Sequence, residues 1–334
     1  MSTSTDRVQL PSGGATLGTG EYLEFLAKEY LHDYVSRGGA AVKLVVPGDD
    51  EVARGFTEGL IAAADGFVTV AVDASETKVH MVDQLFTAIA RQIDWVALAS
   101  DVVRRTYNDI GFPPRGANLD VMTVAAHHEV NPAELYRSIR RALEQAVLAD
   151  TRMSHEFRVA MLRLCQVYVG RGDVDSTEQA TVLGWLHGDR VPAAQLRAVS
   201  LYSRVARHNA RPLLVSLARW LWRAGRNGLV LVLDVERLAV TRRPPAQIRD
   251  GFYYSKAATL DSYEVLRQLI DATDEFEGVF VAVLLPPEML TDETRGLPAY
   301  TALQLRVADE VRDRRRPNPY AALVRLGVRL EAIR

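Results

Sequence analysis

Cysteine occurs once, at Cys165, in a chain of 334 residues. One thiol builds neither an internal disulfide framework nor a cysteine-based zinc site. Set among Met161, Leu162, Leu164 and Val167, it reads as a small buried hydrophobe rather than a nucleophile. Lysine is nearly as scarce: positions 28, 43, 78 and 256 hold all of it, and arginine supplies the remaining positive charge. A phosphate-gripping lysine therefore has very few places to come from. Neither sign of charge prevails, with 40 basic against 42 acidic side chains and a net charge of -2. That balance argues against a basic nucleic-acid coat and against an acidic tail. Long apolar runs are missing too. The stretch at 279–285 falls far short of the roughly 18 residues a membrane-spanning helix needs, and the opening MSTSTDRVQLPSGG has no apolar signal core. A soluble, cytoplasmic protein without membrane contact is expected.

What is present is a core-building sequence, 48% hydrophobic and 25% charged, long enough for one large domain or two modest ones. Residues 1–18, rich in Ser, Thr and Gly, are expected to form a flexible arm. From Glu21 to Val35 apolar residues recur at helical spacing, with Phe25 off the stripe. AVKLVVP (41–47) reads as a buried strand, followed by a turn at 48–51, a helix at 52–64 and a second strand at 66–75 ending on Asp73. Residues 79–110 return to helical periodicity. Amphipathic stripes then mark helices at 134–148, 155–169, 192–210 and 212–225. NGLVLVLDVERL (227–238) and GVFVAVLLPPEML (278–290) are apolar strands of the continuous kind found inside parallel sheets. A helix at 256–273 lies between them, and helices near 300–313 and 319–326 close the chain. The pattern predicts an α/β nucleotide-binding-type parallel sheet interrupted by a large inserted helical block. The first part of the core spans 19–116, the insertion 117–226, and the second part of the core 227–334.

The first strand, turn and helix stand where a phosphate loop, G-x-x-x-x-G-K-[ST], would be. There, backbone N–H groups wrap phosphates, the lysine reaches the β- and γ-phosphates and a hydroxyl ligates Mg²⁺. Here the turn reads Pro47-Gly48-Asp49-Asp50-Glu51-Val52-Ala53-Arg54-Gly55. Gly48 is its one glycine, no lysine lies between 43 and 78, and three carboxylates stand where a triphosphate would sit. Like charges about 4 Å apart repel by roughly 1 kcal/mol in bulk water and about 4 at a protein surface. Arg54 supplies charge in place of the lysine, with bulkier, forked geometry. The strand ending on Asp234 resembles one that holds a Mg²⁺ shell, with Asp234 as a metal and nucleotide candidate. Val235 occupies the next position, where a carboxylate would polarise the attacking water. Glu236, two residues on, is the remaining catalytic candidate, and a strand-capping or arginine-paired Asp234 is the plainer reading. The strand at 279–285 ends Leu284-Leu285-Pro286 and offers no polar sensor.

LGWLHGDRVPAAQL (183–196), NARPLLVSLARWLWRAGRNGLVLVLDVERL (209–238), YYSKAATLDSYEVLRQLIDAT (253–273) and PAYTALQLRVADEVRDRRRPNPYAALVRL (298–326) together resemble the ATP-binding proteins of BREX-type bacteriophage-exclusion systems. The resemblance runs from about Gly18 to Leu326. It implies a P-loop protein of the AAA-related class, encoded beside DNA methyltransferases and other defence genes. Asp234 matches the family's Walker B aspartate. Val235 departs from the acidic neighbour, and the Gly-x-Gly-Lys-Ser/Thr turn has no counterpart at 47–55. The resemblance thus implies a member with a degenerate phosphate loop, serving as structural or regulatory partner of an active ATPase, nuclease or methyltransferase. No resident cofactor is expected, and ATP with Mg²⁺ is disfavoured. Two alternatives stay open: an atypical ATPase completed by a partner subunit in an oligomer, and a DNA-binding regulator.

The regulator reading rests on MTVAAHHEVNPAELYRSIRRAL (122–143), which has the outline of a helix–turn–helix with Tyr136, Arg137, Arg140 and Arg141 on its second helix. Glu129 replaces the customary turn glycine, and a plain helix pair explains the segment as well. Arg312, Arg314, Arg315 and Arg316, together with Arg242 and Arg243, are candidates for contacting a partner or DNA phosphates. Cations on a solvated helix end are the plainer alternative for the first four. His127 and His128 point about 100° apart on a helix and so make a poor metal pair. Tyr253 and Tyr254 suit either base stacking or packing beneath the sheet.

Overall fold

Three strands, Ala40–Val46, Leu229–Asp234 and Val279–Leu284, are rich in β-branched and leucine side chains and are buried along nearly their whole length. Strands covered on both faces are the signature of the centre of a parallel sheet. The computed structural model describes residues 16–170, 176–245, 250–308 and 317–327. In chain order these form β1 (Leu17–Gly18), α1 (Thr19–Phe25), β2 (Ala40–Val46), α2 (Asp50–Ala63), β3 (Val68–Asp73), α3 (Val82–Ala90), α4 (Trp95–Asp109), α5 (Val121–His128), α6 (Pro132–Leu148), α7 (His155–Val169), α8 (Ser176–Leu186), α9 (Ala193–Ala198), α10 (Arg207–Arg223), β4 (Leu229–Asp234), α11 (Lys256–Asp271), β5 (Val279–Leu284), α12 (Thr301–Val307) and β6 (Leu323–Gly327). The fold is mixed α/β, with one six-stranded, all-parallel sheet ordered β1-β6-β2-β5-β4-β3.

Chain density divides the molecule into two compact units, residues 1–85 with 227–334, and residues 86–226. The first contains the sheet. On one sheet face Val52, Phe56 and Leu60 of α2 and Tyr22 of α1 pack with Val45, Val230, Val232, Phe280, Ala282 and Leu284. Spacing by four along α2 puts its three residues on a single stripe. Alternation sends Leu44, Leu231, Leu233, Val281 and Val283, all buried, to the opposite face. β3 is a sheet edge and shows it: Val70 and Val72 are buried while Ala71 is exposed. Where β4 and β5 start, the backbones come so close that a Cβ on Gly228 would lie 2.0 Å from the Gly278 carbonyl oxygen. Glycine is required there, at φ 137°.

The second unit is helical among its described residues. α6 packs on α7 and α5, α4 on α7, and α7 on α8. Its first boundary, at Phe86, lies earlier than the 116/117 position expected from sequence, because α4 packs with the helices that follow it. Asp150, buried after α6, accepts from Arg219 Nε at 2.9 Å and from Arg223 Nη2 at 2.6 Å, tying that turn to α10. Cys165 is fully buried, its thiol pushed up by burial.

Several sequence expectations are corrected. Residues 319–326 are not a helix: Leu323–Gly327 form β6, which pairs with β2 through Leu44↔Leu323 and with β1 through Leu17↔Leu326. A short apolar run carries no period of its own, and the open sheet edge decided it. Leu17 and Gly18, expected in a flexible arm, are therefore strand; residues 1–15 lie outside the described residues. The helices expected at 192–210 and 212–225 are redivided into α9 and α10, with Ser200 at φ 62° in the break. The first helix is α-helical only to Phe25 and continues as a π-helix over Leu26–His32. Phe25, off the stripe, packs edge-on against Tyr320, ring centroids 4.7 Å apart.

Candidate functional site at the carboxyl end of the sheet

In an open parallel sheet, ligands sit at the carboxyl ends of strands where the crossovers change direction. Here that place is the end of β2, since α2 carries the chain to the far edge at β3, whereas β4, β5 and β6 return step by step past it. The turn between β2 and α2 is three residues long, Pro47, Gly48 and Asp49. Asp49 is the N-cap of α2, its carboxylate accepting the Val52 N–H at 2.8 Å. The amide end of this helix, the part that would receive a phosphate, is thus closed by the chain's own anion. Asp50 and Glu51 add two more carboxylates in the first turn. Gly48 serves close packing: a Cβ there would stand 3.3 Å from the Leu326 carbonyl oxygen of β6. Arg54 is solvent-exposed on α2.

Lys43 is the one lysine on β2. It is buried and points away from the turn, with Nζ donating to the carbonyls of Tyr320 at 2.6 Å and Ala321 at 2.9 Å. Its ammonium also lies 4.4 Å from the centre of the Tyr30 ring, an arrangement favoured by the ring quadrupole.

β3 and β4 end side by side on two aspartates, Asp73 paired with Asp234. Each carboxylate closes a local turn: Asp73 Oδ1 accepts the Ser75 N–H at 2.6 Å, and Asp234 Oδ1 accepts the Glu236 N–H at 2.8 Å. Burial raises the Asp234 carboxyl above the usual range, with the Glu236 amide opposing and Asp73 and Asp50 reinforcing. Burial likewise raises Glu236, helped by Asp234, Asp50, Asp73 and Glu288. Glu236 does not continue an extended strand on the side of Asp234. It opens a 3₁₀ turn, Glu236–Ala239, and is exposed. The end of β5, Leu284-Leu285-Pro286, is buried and apolar. Among the described residues no three His, Cys, Asp or Glu side chains are grouped so as to hold a metal ion.

The loop after β4 carries exposed Arg242 and Arg243. It is pinned by residues the sequence did not single out. Arg295, 7% exposed, donates through Nη2 to the carbonyl of Tyr254 at 2.7 Å, to that of Leu238 at 3.3 Å and to Thr259 Oγ1 at 2.9 Å. Nothing local announces this arginine, since its acceptors come from a loop and a helix more than thirty residues upstream in the chain. Tyr254 is packed rather than presented for stacking: its hydroxyl accepts the Val79 N–H at 3.1 Å and donates toward the Ala74 carbonyl at 2.8 Å.

The remaining sequence candidates are dispersed. Arg312, Arg314, Arg315 and Arg316 lie outside the described residues. α5 and α6 form the expected helix pair, and Glu129 adopts the left-handed φ of 54° that a turn glycine would. Arg137 and Arg141 are exposed on α6, Arg140 pairs with Glu144 at 3.1 Å, and Tyr136 is half-buried. His128 Nε2 lies 3.0 Å from the Pro113 carbonyl.

Compared with known proteins, the chain matches the family model described as BREX system ATP-binding protein BrxC/D over residues 116–331, more than half its length. The match takes in β4, β5 and β6 and begins downstream of the β2–α2 turn. No curated protein and no solved structure matches.

Proposed function

The chain belongs to the BREX system ATP-binding protein BrxC/D family, and on that premise we propose that it is a BREX defence subunit with a degenerate P-loop, acting as structural or regulatory partner of an active ATPase, nuclease or methyltransferase. An AAA-related P-loop ancestry is supported by the strand order, in which β5, the strand that carries a sensor in such ATPases, lies between β2 and β4. Asp234 then stands at the Walker B position.

The observation that carries the non-catalytic reading is the N-terminus of α2, capped by Asp49 and followed by Asp50 and Glu51. Tested against ATP with Mg²⁺, these residues do not fit. A triphosphate needs free amides, a lysine and a cationic field. This turn presents its own carboxylate to the Val52 amide, and Lys43 is engaged with carbonyls of the segment before β6. Asp234 and Glu236 share their surroundings with Asp50 and Asp73, which adds repulsion where a phosphate would bring more negative charge.

Titration calorimetry of ATP with Mg²⁺, and of ADP, into the folded chain tests the reading. No heat is expected up to millimolar nucleotide. Binding tighter than about 100 μM, roughly -5.5 kcal/mol, overturns it in favour of an unorthodox site built on Arg54, Asp234 and Glu236.

A further inference from the structure

From Arg190 to Leu233 the chain holds eight arginines and neither aspartate nor glutamate, in a protein whose net charge is -2. Three of the eight are paired with acids elsewhere in the helical unit: Arg219 and Arg223 with Asp150, and Arg226 with Asp101. Arg211 is half-buried on α10. The other four, Arg190, Arg197, Arg204 and Arg207, are exposed, and among the described residues no carboxylate pairs with any of them.

Hydrogen bonds draw these four together. Arg204 Nη2 donates to the Val191 carbonyl at 2.9 Å, which sets its guanidinium beside the residue that follows Arg190. The Leu201 N–H donates to the Leu196 carbonyl at 2.8 Å, joining the neighbour of Tyr202 to the neighbour of Arg197. Asn209 Nδ2 donates to the Arg204 carbonyl at 2.9 Å and Asn209 Oδ1 accepts the Ala206 N–H at 2.8 Å, so the start of α10, with Arg207, is tied back to Arg204. Trp185 Nε1 donates to the Ser203 carbonyl at 2.7 Å. Between these ties Tyr202 is 75% exposed, and no other Phe, Tyr or Trp among the described residues is as open. The acids that touch the segment are engaged: Asp189 with Arg91 at 2.8 Å, and Glu156 with Ser203 Oγ at 3.2 Å. Like charges held along one short segment repel one another and stabilise nothing by themselves. Cations strung from 190 to 207 suit a polymer with a phosphate at every unit better than one small anion, which would need them to converge. A single strand also brings unstacked bases to an open ring, whereas a duplex keeps its bases stacked. An acidic peptide would match the charge and leave Tyr202 without a role.

We propose that the stretch from Arg190 to Arg207, centred on α9, is a binding site for single-stranded nucleic acid, in which the four arginines take backbone phosphates and Tyr202 stacks on a base. The site lies wholly within the helical unit, and it is tested without ATP.

The experiment is fluorescence anisotropy of the full-length chain with a labelled oligothymidylate about 16 nucleotides long, with a duplex of equal length as control. Folding of each variant is checked by its circular-dichroism melt. Binding is expected at low salt, with preference for the single strand. Tyr202→Ala should weaken it about tenfold and leave the salt slope unchanged, while Tyr202→Phe, which keeps the aromatic face, should bind like the parent. Arg190→Ala with Arg197→Ala should lower the slope of log K against log salt by roughly 1.4, two contacts at about 0.7 each. Arg137→Ala with Arg141→Ala, exposed on α6, should leave that slope as it is. No binding by the folded chain, preference for duplex, displacement by polyglutamate as readily as by unlabelled oligothymidylate, or equal loss from the two arginine pairs would each overturn the proposal. None of these outcomes bears on the ATP titration.

Discussion

Asp150 and Asp234 are both aspartates at the end of an element, yet their surroundings drive them in opposite directions. Burial alone would raise the Asp150 carboxyl; hydrogen bonds from Arg219 and Arg223 outweigh it and bring the group down to about 2. Its folded value therefore lies below the unfolded value of about 3.9. The stability it contributes is present above pH ~4 and is lost as pH falls toward 2. Asp150→Asn should cost about 2–3 kcal/mol at pH 6, less than a fully buried pair because both arginines are partly exposed. Thermal melts from pH 6 to 2 should show that difference vanish at the acid end. Asp234 is the reverse case. Its raised carboxyl favours the protonated form in the fold, so its ionisation removes stability as pH rises past the unfolded value. Asp234→Asn keeps the oxygen that accepts from Glu236 and should raise stability at pH 7, a gain that fades as pH falls through the unfolded value of about 3.9. An aspartate kept for Mg²⁺ alone would show the same melts, but its asparagine variant would also lose any heat of nucleotide binding.

At the scale of elements, β6 shows how one buried cation secures a strand. Tyr320 and Ala321 precede it, and their carbonyls are satisfied by Lys43 from the neighbouring strand. Removing the donor leaves two acceptors to be desolvated without partners, an expensive arrangement. Lys43→Met should therefore destabilise the chain by about 2 kcal/mol. Hydrogen exchange should quicken first at residues 323–327, while the amides of β4 and β5 stay protected. The α2 helix makes the complementary point. Its cap, first-turn acids and buried stripe are all consistent with a stable helix, and those same acids close the end a phosphate would use. Local stability and phosphate binding make opposite demands on this helix start, and the sequence there satisfies the first.

For the whole molecule, the helices within residues 86–226 have their own buried residues, Trp95 against Phe157 and the Leu135, Ile139, Leu143 and Val147 stripe of α6 among them. Expressed alone, this segment should give a helical circular-dichroism spectrum and a single cooperative melt. A non-cooperative or absent transition would mean that its stability is borrowed from the sheet unit.

Much of this was legible in the residues. Continuous apolar runs at β4 and β5, the largely apolar β2, and helical stripes at α6 and α7 announce themselves because burial selects side chains at the period of the element. The missing lysine and the three carboxylates at 49–51 were equally plain, since charge and residue type need no coordinates. Tertiary structure alone decided the rest. β6 is a strand because β2 and β1 offer it backbone partners, not because ALVRLG carries a strand's period. The turn at Glu236 moves it off the strand axis of Asp234. Arg295 and Lys43 are buried because carbonyls distant in sequence converge on them. A buried cation is specified by acceptors elsewhere in the chain, and only folding brings those acceptors within hydrogen-bonding distance.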